Sequence, residues 1–179
     1  IFTSYVEVSA FQSQTHWEIA QQTLNLNSKK LNSEQEKIYK SGAFLADIGR
    51  LTWDSKYSDS DSEVFSDNLM KNCDSNNIEE TLFSLGWKHH VVQDSLGSVV
   101  KGIFNSEPDS YTIGCSKLEN YLRHNGSKML FRGDESFYIN CDIIRLTYKN
   151  LYNFSPTDEN IFLELNKLII VGNLLSILP

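Results

Sequence analysis

The chain has 179 residues, and 16 Lys or Arg against 23 Asp or Glu give it a formal charge of −7. Its length suits one domain with a sizeable core and is short for two. A composition of 40% apolar and 22% charged residues, with three prolines and nine glycines, excludes disordered and collagen-like classes. An acidic chain without a dense Lys/Arg cluster is also a poor match for a run of phosphates, so nucleic acid is a disfavoured partner.

No repeat period or β-hairpin signal is present, and apolar residues recur at helical spacing, so six or seven helices in one all-α bundle over 1–179 are expected. The first runs from about Gln14 to Asn25 with Trp17, Ile19, Ala20 and Leu24 apolar. Ser33 followed by Glu36 reads as a capping box opening the second, which carries Ile38, Tyr39, Ala43 and Phe44 toward Asp47. Asp54 to Asp61 is polar, with almost nothing to bury, and reads as a surface loop. A short helix with Val64, Phe65 and Leu69 follows.

Ile78 to Phe104 is the most regular segment, with Ile78, Leu82, Leu85, His89, Val92, Leu96, Val99 and Ile103 at spacings of four and three. A second stripe beside it holds Gly86, His90, Asp94 and Gly97. Glycine inside a helix costs roughly 0.5–1 kcal/mol relative to alanine, so a pair on this face suggests close approach by another backbone or by a bound group, with tight helix packing as the alternative. A weaker helical stretch surrounds Leu118, Tyr121, Leu122 and Met129, and another runs from Ser136 to Tyr152 with Ile139, Ile143, Leu146 and Leu151. Ser155-Pro156 then reads as an N-cap with proline at the first helical position. The last helix offers Ile161, Leu165, Leu168, Ile169, Gly172 and Leu175 as its buried face.

Leu168 to Leu178, the longest apolar tract, is broken by Gly172, Asn173 and Ser176 and falls short of the roughly 20 residues that span a bilayer. A start at Ile1 without Met fits a removed signal peptide or a piece of something longer. Cys73, Cys115 and Cys141 contain no C-x-x-C pair, which argues against a thiolate metal site and leaves room for one bridge and one free thiol. Asn125-Gly126-Ser127 and Asn153-Phe154-Ser155 match the glycosylation acceptor pattern. These triplets point to a secreted or extracytoplasmic protein.

Imidazole and carboxylate are the usual non-thiolate ligands of zinc, and a His at i with an Asp at i+4 presents both from one helical face. His90 and Asp94 have that spacing, although such a pair is more often a surface hydrogen bond. Three longer strings add to it: Thr15-His16-Trp17-Glu18-Ile19-Ala20, Ser41-Gly42-Ala43-Phe44-Leu45-Ala46-Asp47-Ile48-Gly49, and Leu85-Gly86-Trp87-Lys88-His89-His90-Val91-Val92-Gln93-Asp94. In order and approximate spacing they resemble three signatures of the zinc-dependent phospholipase C family, over roughly the first 105 residues.

The resemblance implies the phospholipase C and P1 nuclease type of helical fold, with zinc held by His16, Asp47, His90 and Asp94. It also implies hydrolysis of a phospholipid or related phosphodiester, with transient contact at a membrane surface. Asp47 is the carboxylate expected to orient or deprotonate the attacking water. The family's further histidine before the central helix has no counterpart in Ser58 to Phe65, where Asp61 is the nearest oxygen substitute. The later histidine and H-x-x-x-E ligands are also missing, because His124 is followed at i+4 by Lys128. One or two zinc ions are therefore expected rather than three. Two alternatives stay open: a non-catalytic binding or structural module with a partial metal site, and a nuclease or phosphatase of the same fold. His89 lies about 100° from His90 around the helix and is expected in the core or behind the ligands. Trp17 and Trp87, beside ligand candidates, are expected to be core.

Overall fold

The computed structural model describes residues 13–27, 30–49, 59–104 and 137–177. Among the described residues the chain is all-helical, as expected, with no strand. Its elements are α1 (Ser13–Leu26), α2 (Ser33–Leu45), a 3-10 turn (Ala46–Gly49), α3 (Glu63–Asn72), α4 (Ile78–Phe104), α5 (Cys141–Tyr152) and α6 (Asp158–Ile177). The helical stretch expected around Leu118 to Met129, with Cys115, His124 and the Asn125 triplet, lies outside the described residues.

Short polar side chains set where most of these helices begin, because each can accept a hydrogen bond from a backbone N–H that the helix leaves open. Ser62 accepts from the Phe65 N–H at the start of α3, Asn77 from the Glu79 N–H at the start of α4, and Asn140 from the Ile143 N–H at the start of α5. The box expected on Ser33 and Glu36 lies one residue earlier. Asn32 accepts from the Gln35 N–H at 2.9 Å, and the Gln35 side chain accepts from the Asn32 N–H at 3.2 Å. This frame places Glu34 and Glu36 in the first turn, where the positive end of the helix favours them.

The Ser155-Pro156 start is also displaced. Thr157 and Asn160 exchange hydrogen bonds at 3.3 and 3.4 Å, and α6 begins at Asp158. Likewise α5 starts at Cys141 rather than Ser136, which leaves residues 137–140 outside the helix. Phe137 in that segment stacks on Phe44 with ring centroids 4.7 Å apart and meets the edge of Trp17.

One buried cluster draws on all six helices, through residues such as Trp17, Phe44, Phe65, Phe83, Trp87, Tyr148 and Leu168. Among the described side chains of α6, Ile161, Leu165 and Leu168 are buried, as expected, and Ile169 is partly buried, while Gly172 and Leu175 lie outside the described side chains; this helix packs on α1 and on the 3-10 turn. In α5 the buried set is Ile143, Ile144, Thr147 and Tyr148, and Leu146 faces outward. An aromatic ladder from Phe83 through Trp87 and Phe65 to Tyr148 ties α4, α3 and α5 together.

The central packing event joins α2 to α4. A Cβ built on Gly86 would lie 1.9 Å from the Tyr39 carbonyl oxygen, and one on Gly42 would lie 2.0 Å from that of Phe83. The two backbones therefore touch, and only glycine fits at either position. Neither glycine has positive φ, so space and not backbone conformation is the reason for them. This contact turns the Phe83, Gly86, Trp87 and His90 side of α4 inward. On the longer apolar stripe Leu82 is buried, while Ile78, Leu85 and Val92 stay about half exposed.

Gly86→Ala is expected to destabilise the protein by about 1–3 kcal/mol, toward the upper end because the obstructing atom is backbone. Chemical denaturation of the variant against the parent measures it. Asn32→Ala is expected to cost about 1 kcal/mol, while Ser33→Ala stays within about 0.5 kcal/mol. Equal effects would return the cap to Ser33.

Candidate metal centre

Three elements deliver the site. His90 and Asp94 stand one turn apart on α4, His16 comes from α1, and Asp47 comes from the 3-10 turn that ends α2. Each imidazole is held by its Nδ1. His90 Nδ1–H donates to the Ala43 carbonyl at 2.8 Å, an acceptor within reach because α2 and α4 touch at Gly42 and Gly86. His16 Nδ1–H donates to the Gln93 side-chain oxygen at 2.6 Å. A carbonyl or amide oxygen can only accept, so both rings carry the proton on Nδ1 and offer Nε2 to the space between them.

There the groups converge. His16 Nε2 lies 3.3 Å from Asp94 Oδ1, and His90 Nε2 lies 3.4 Å from Asp94 Oδ2 and 3.4 Å from Asp47 Oδ1. One ligand atom from each of His16, His90 and Asp94 falls within 4.8 Å of the other two. The two imidazole rings have centroids 3.7 Å apart. His90 Nε2 makes no hydrogen bond although it is fully buried. Three of the four residues expected from the sequence, His16, His90 and Asp94, form the metal-capable group, and Asp47 lies against His90 outside it. Both histidines are buried completely and the Asp47 side chain is 4% exposed, whereas that of Asp94 is 14% exposed and marks the edge open to solvent.

The spacing suits a small cation. Ligand atoms about 2.0–2.1 Å from a zinc ion and separated by the tetrahedral angle lie about 3.3–3.4 Å apart. A direct charge-assisted hydrogen bond would draw nitrogen and oxygen to about 2.7–2.9 Å. Each of the three nitrogen-to-oxygen separations has the length of such an edge, with the two to Asp94 ending on its different oxygens.

Asp47 owes its place to a residue that the sequence reading left on the surface. Ser60 is fully buried. Its hydroxyl donates to the Ala46 carbonyl at 2.7 Å, and its own carbonyl accepts from Trp87 Nε1–H at 2.6 Å. Ser60, at the end of the segment expected to be a surface loop, therefore pins the Asp47 turn to α4. Gln93 was also missed, although its position between His90 and Asp94 offered a signal. Asp61 is not part of the metal-capable group. It lies instead near Tyr152, whose phenol is raised first by burial and then by the charges of Asp59 and Asp61. Trp17 and Trp87 are core, and His89 is half-buried behind the ligands, hydrogen-bonded to Tyr39.

Burial opposes charge on both members of the His90–Asp94 pair, but their neighbours more than offset it. The charges of Asp47 and Asp94, with the Ala43 carbonyl, hold His90 above its ordinary value. His16 and His90 hold the Asp94 carboxyl far below the usual carboxylate range. These shifts favour the charged forms of His90 and Asp94 in the metal-free site. A depressed carboxylate contributes stability above its unfolded value and loses it as pH falls through the folded one; a raised imidazole contributes below its unfolded value and loses it as pH rises through the folded one. In excess chelator the melting temperature is therefore expected to form a plateau between about pH 4 and 6.5, falling on both sides. A melting temperature that climbs steadily from pH 4 to 8 would contradict the pairing.

Comparison with family models, curated proteins and solved structures returns no match to this chain, so a functional reading draws its support from the site's own chemistry and the motif resemblance.

Proposed function

We propose that this chain is a zinc-dependent phosphoester hydrolase of phospholipase C type, with one or two ions held by His16, His90 and Asp94 and with Asp47 beside them. The observation that carries the reading is the convergence of His16, His90 and Asp94, one ligand atom of each within 4.8 Å of the others, at imidazole-to-carboxylate separations of 3.3–3.4 Å that are long for hydrogen bonds. Three residues spread over some eighty positions of sequence supply it, which surface salt bridges between neighbours on one helix do not do.

Zinc with an open coordination position lowers the pKa of its water toward about 7 and stabilises charge on a phosphoryl oxygen. The chain's own groups divide the remaining work. His16 and His90 present Nε2 because their Nδ1 protons are engaged by Gln93 and Ala43. Asp94 faces both imidazoles and borders solvent, so a phosphodiester would approach along its edge. Asp47, buried against His90, is the carboxylate placed to orient or deprotonate the attacking water.

The substrate class is a phospholipid or related phosphodiester, met by transient contact at a membrane surface in an extracytoplasmic setting. Among the described residues no helix is long and apolar enough to cross a membrane. The acidic balance of the chain disfavours a nuclease.

A second reading has its own support in the burial of the site. Should Asp47 occupy a fourth ligand position, the centre would be closed by protein on all sides, the arrangement of a structural zinc, and the chain would be a binding or structural module.

Purified protein is expected to hold one to two zinc ions per chain by elemental analysis. Zinc at about 100 times its Kd should raise the melting temperature by roughly 5–10 °C over chelator-treated protein. Hydrolysis of a phosphocholine ester should fall at least about 100-fold in His90→Ala and in Asp94→Ala. Tight zinc without hydrolysis would favour the module. Hydrolysis surviving both substitutions would remove this site from the reaction, and absence of bound zinc would overturn the proposal.

A further inference from the structure

Gln93 is 2% exposed and projects from α4 at the position between the two ligand candidates of that helix. Its side chain does not point at the space between His90 and Asp94. It reaches α1, where Oε1 accepts from His16 Nδ1–H at 2.6 Å across 77 residues of sequence. The amide nitrogen lies 3.3 and 3.4 Å from the two ring nitrogens of His89, one turn earlier on α4. His89 Nδ1 is in turn hydrogen-bonded to the Tyr39 hydroxyl of α2. The His89 Nδ1–H donates to the Tyr39 oxygen, which leaves His89 Nε2 to accept from the Gln93 amide.

The four side chains therefore form a continuous series from α2 through α4 to α1: Tyr39, His89, Gln93, His16. Its last link decides the state of His16. An oxygen acceptor at Nδ1 places the ring proton there and leaves Nε2 as a lone pair facing Asp94, whereas a donor at Nδ1 would put the proton on Nε2 and exclude a cation. The amide is oriented by its other end, because the nitrogen has His89 to meet and the oxygen is left for His16. A leucine or methionine would fill the same volume without choosing a tautomer.

We propose that Gln93 is a positioning residue for the cation site, fixing the tautomer and ring orientation of His16 through a series anchored by His89 and Tyr39. This assignment rests on the reading that His16 is a cation ligand. Gln93 touches neither ion nor substrate; it acts only through His16.

The test uses the full chain with Gln93→Leu, Gln93→Met and Gln93→Glu. Two readouts are needed: zinc affinity by competition with a chelator, and the ring-nitrogen NMR signals of His16 in metal-free protein. Wild type is expected to show His16 protonated on Nδ1. Gln93→Leu and Gln93→Met should lose that preference and bind zinc about 10–100-fold more weakly. Gln93→Glu, which keeps an oxygen acceptor, should retain the tautomer and stay within about threefold of wild-type affinity. Affinity and tautomer unchanged in the two apolar variants would overturn the assignment. Equal losses in Gln93→Glu and Gln93→Leu would reduce Gln93 to a packing role and overturn it too. Should wild type bind no zinc, the hydrolase proposal fails, while the His16 signals in metal-free protein still decide whether Gln93 sets the tautomer. If one apolar variant does not fold, the other carries the comparison with Gln93→Glu.

Discussion

Two helix backbones in direct contact organise this molecule. At Gly42 and Gly86 neither α2 nor α4 has room for a single methyl group, since the carbonyl oxygens of Phe83 and Tyr39 occupy the space that a Cβ would take. Contact this close fixes both the distance between the helices and the rotation of α4 about its axis. It also sets their register, because His90 stands one turn beyond Gly86 and meets the carbonyl of Ala43, the residue after Gly42. Asp94 follows one turn later on the same face.

Burying two imidazoles and two carboxylates together is costly unless their charges compensate. Here they do so in a particular way. Each carboxylate oxygen that approaches an imidazole stops at 3.3–3.4 Å, and the Nδ1 side of each ring is already satisfied by an oxygen from the protein. The two carboxylates favour a proton on His90, and a cation proposed for this site would compete with that proton for the same nitrogen.

Around this centre lies a layer of supporting bonds as specific as the ligands. Ser60 links the Ala46 carbonyl to the Trp87 indole, so the turn carrying Asp47 is tied to the helix carrying His90. Gln93 links α4 to His16 of α1. The segment preceding α3 and the residue preceding Asp94 thus do the same job for different ligands. Outer partners of this kind fix ligand orientation in metal sites generally. Meanwhile α6 closes over the 3-10 turn with Ile161, Leu165 and Leu168 buried.

Helical class, the span of α4, the i,i+4 placement of His90 and Asp94 and the presence of glycine on their stripe were all legible in the chain, because each depends on spacing within a single helix. The bringing together of His16 and Asp47 with that pair was suggested by motif order, but it depends on three elements meeting in space. The burial of Ser60 and the reach of Gln93 to His16 left no trace in local pattern, since a serine in a polar loop and a glutamine between ligands look the same whether they face solvent or a partner. Helix starts slipped, by one residue at Asn32 for Ser33, two at Thr157 for Ser155 and five at Cys141 for Ser136, because several nearby residues can cap and only the packed backbone selects among them. Periodicity by itself determined that Ile78–Phe104 would be a helix with two candidate faces. Only the tertiary contact at Gly42 and Gly86 decided which face turned inward, because a steric limit between two backbones cannot be computed from either one alone.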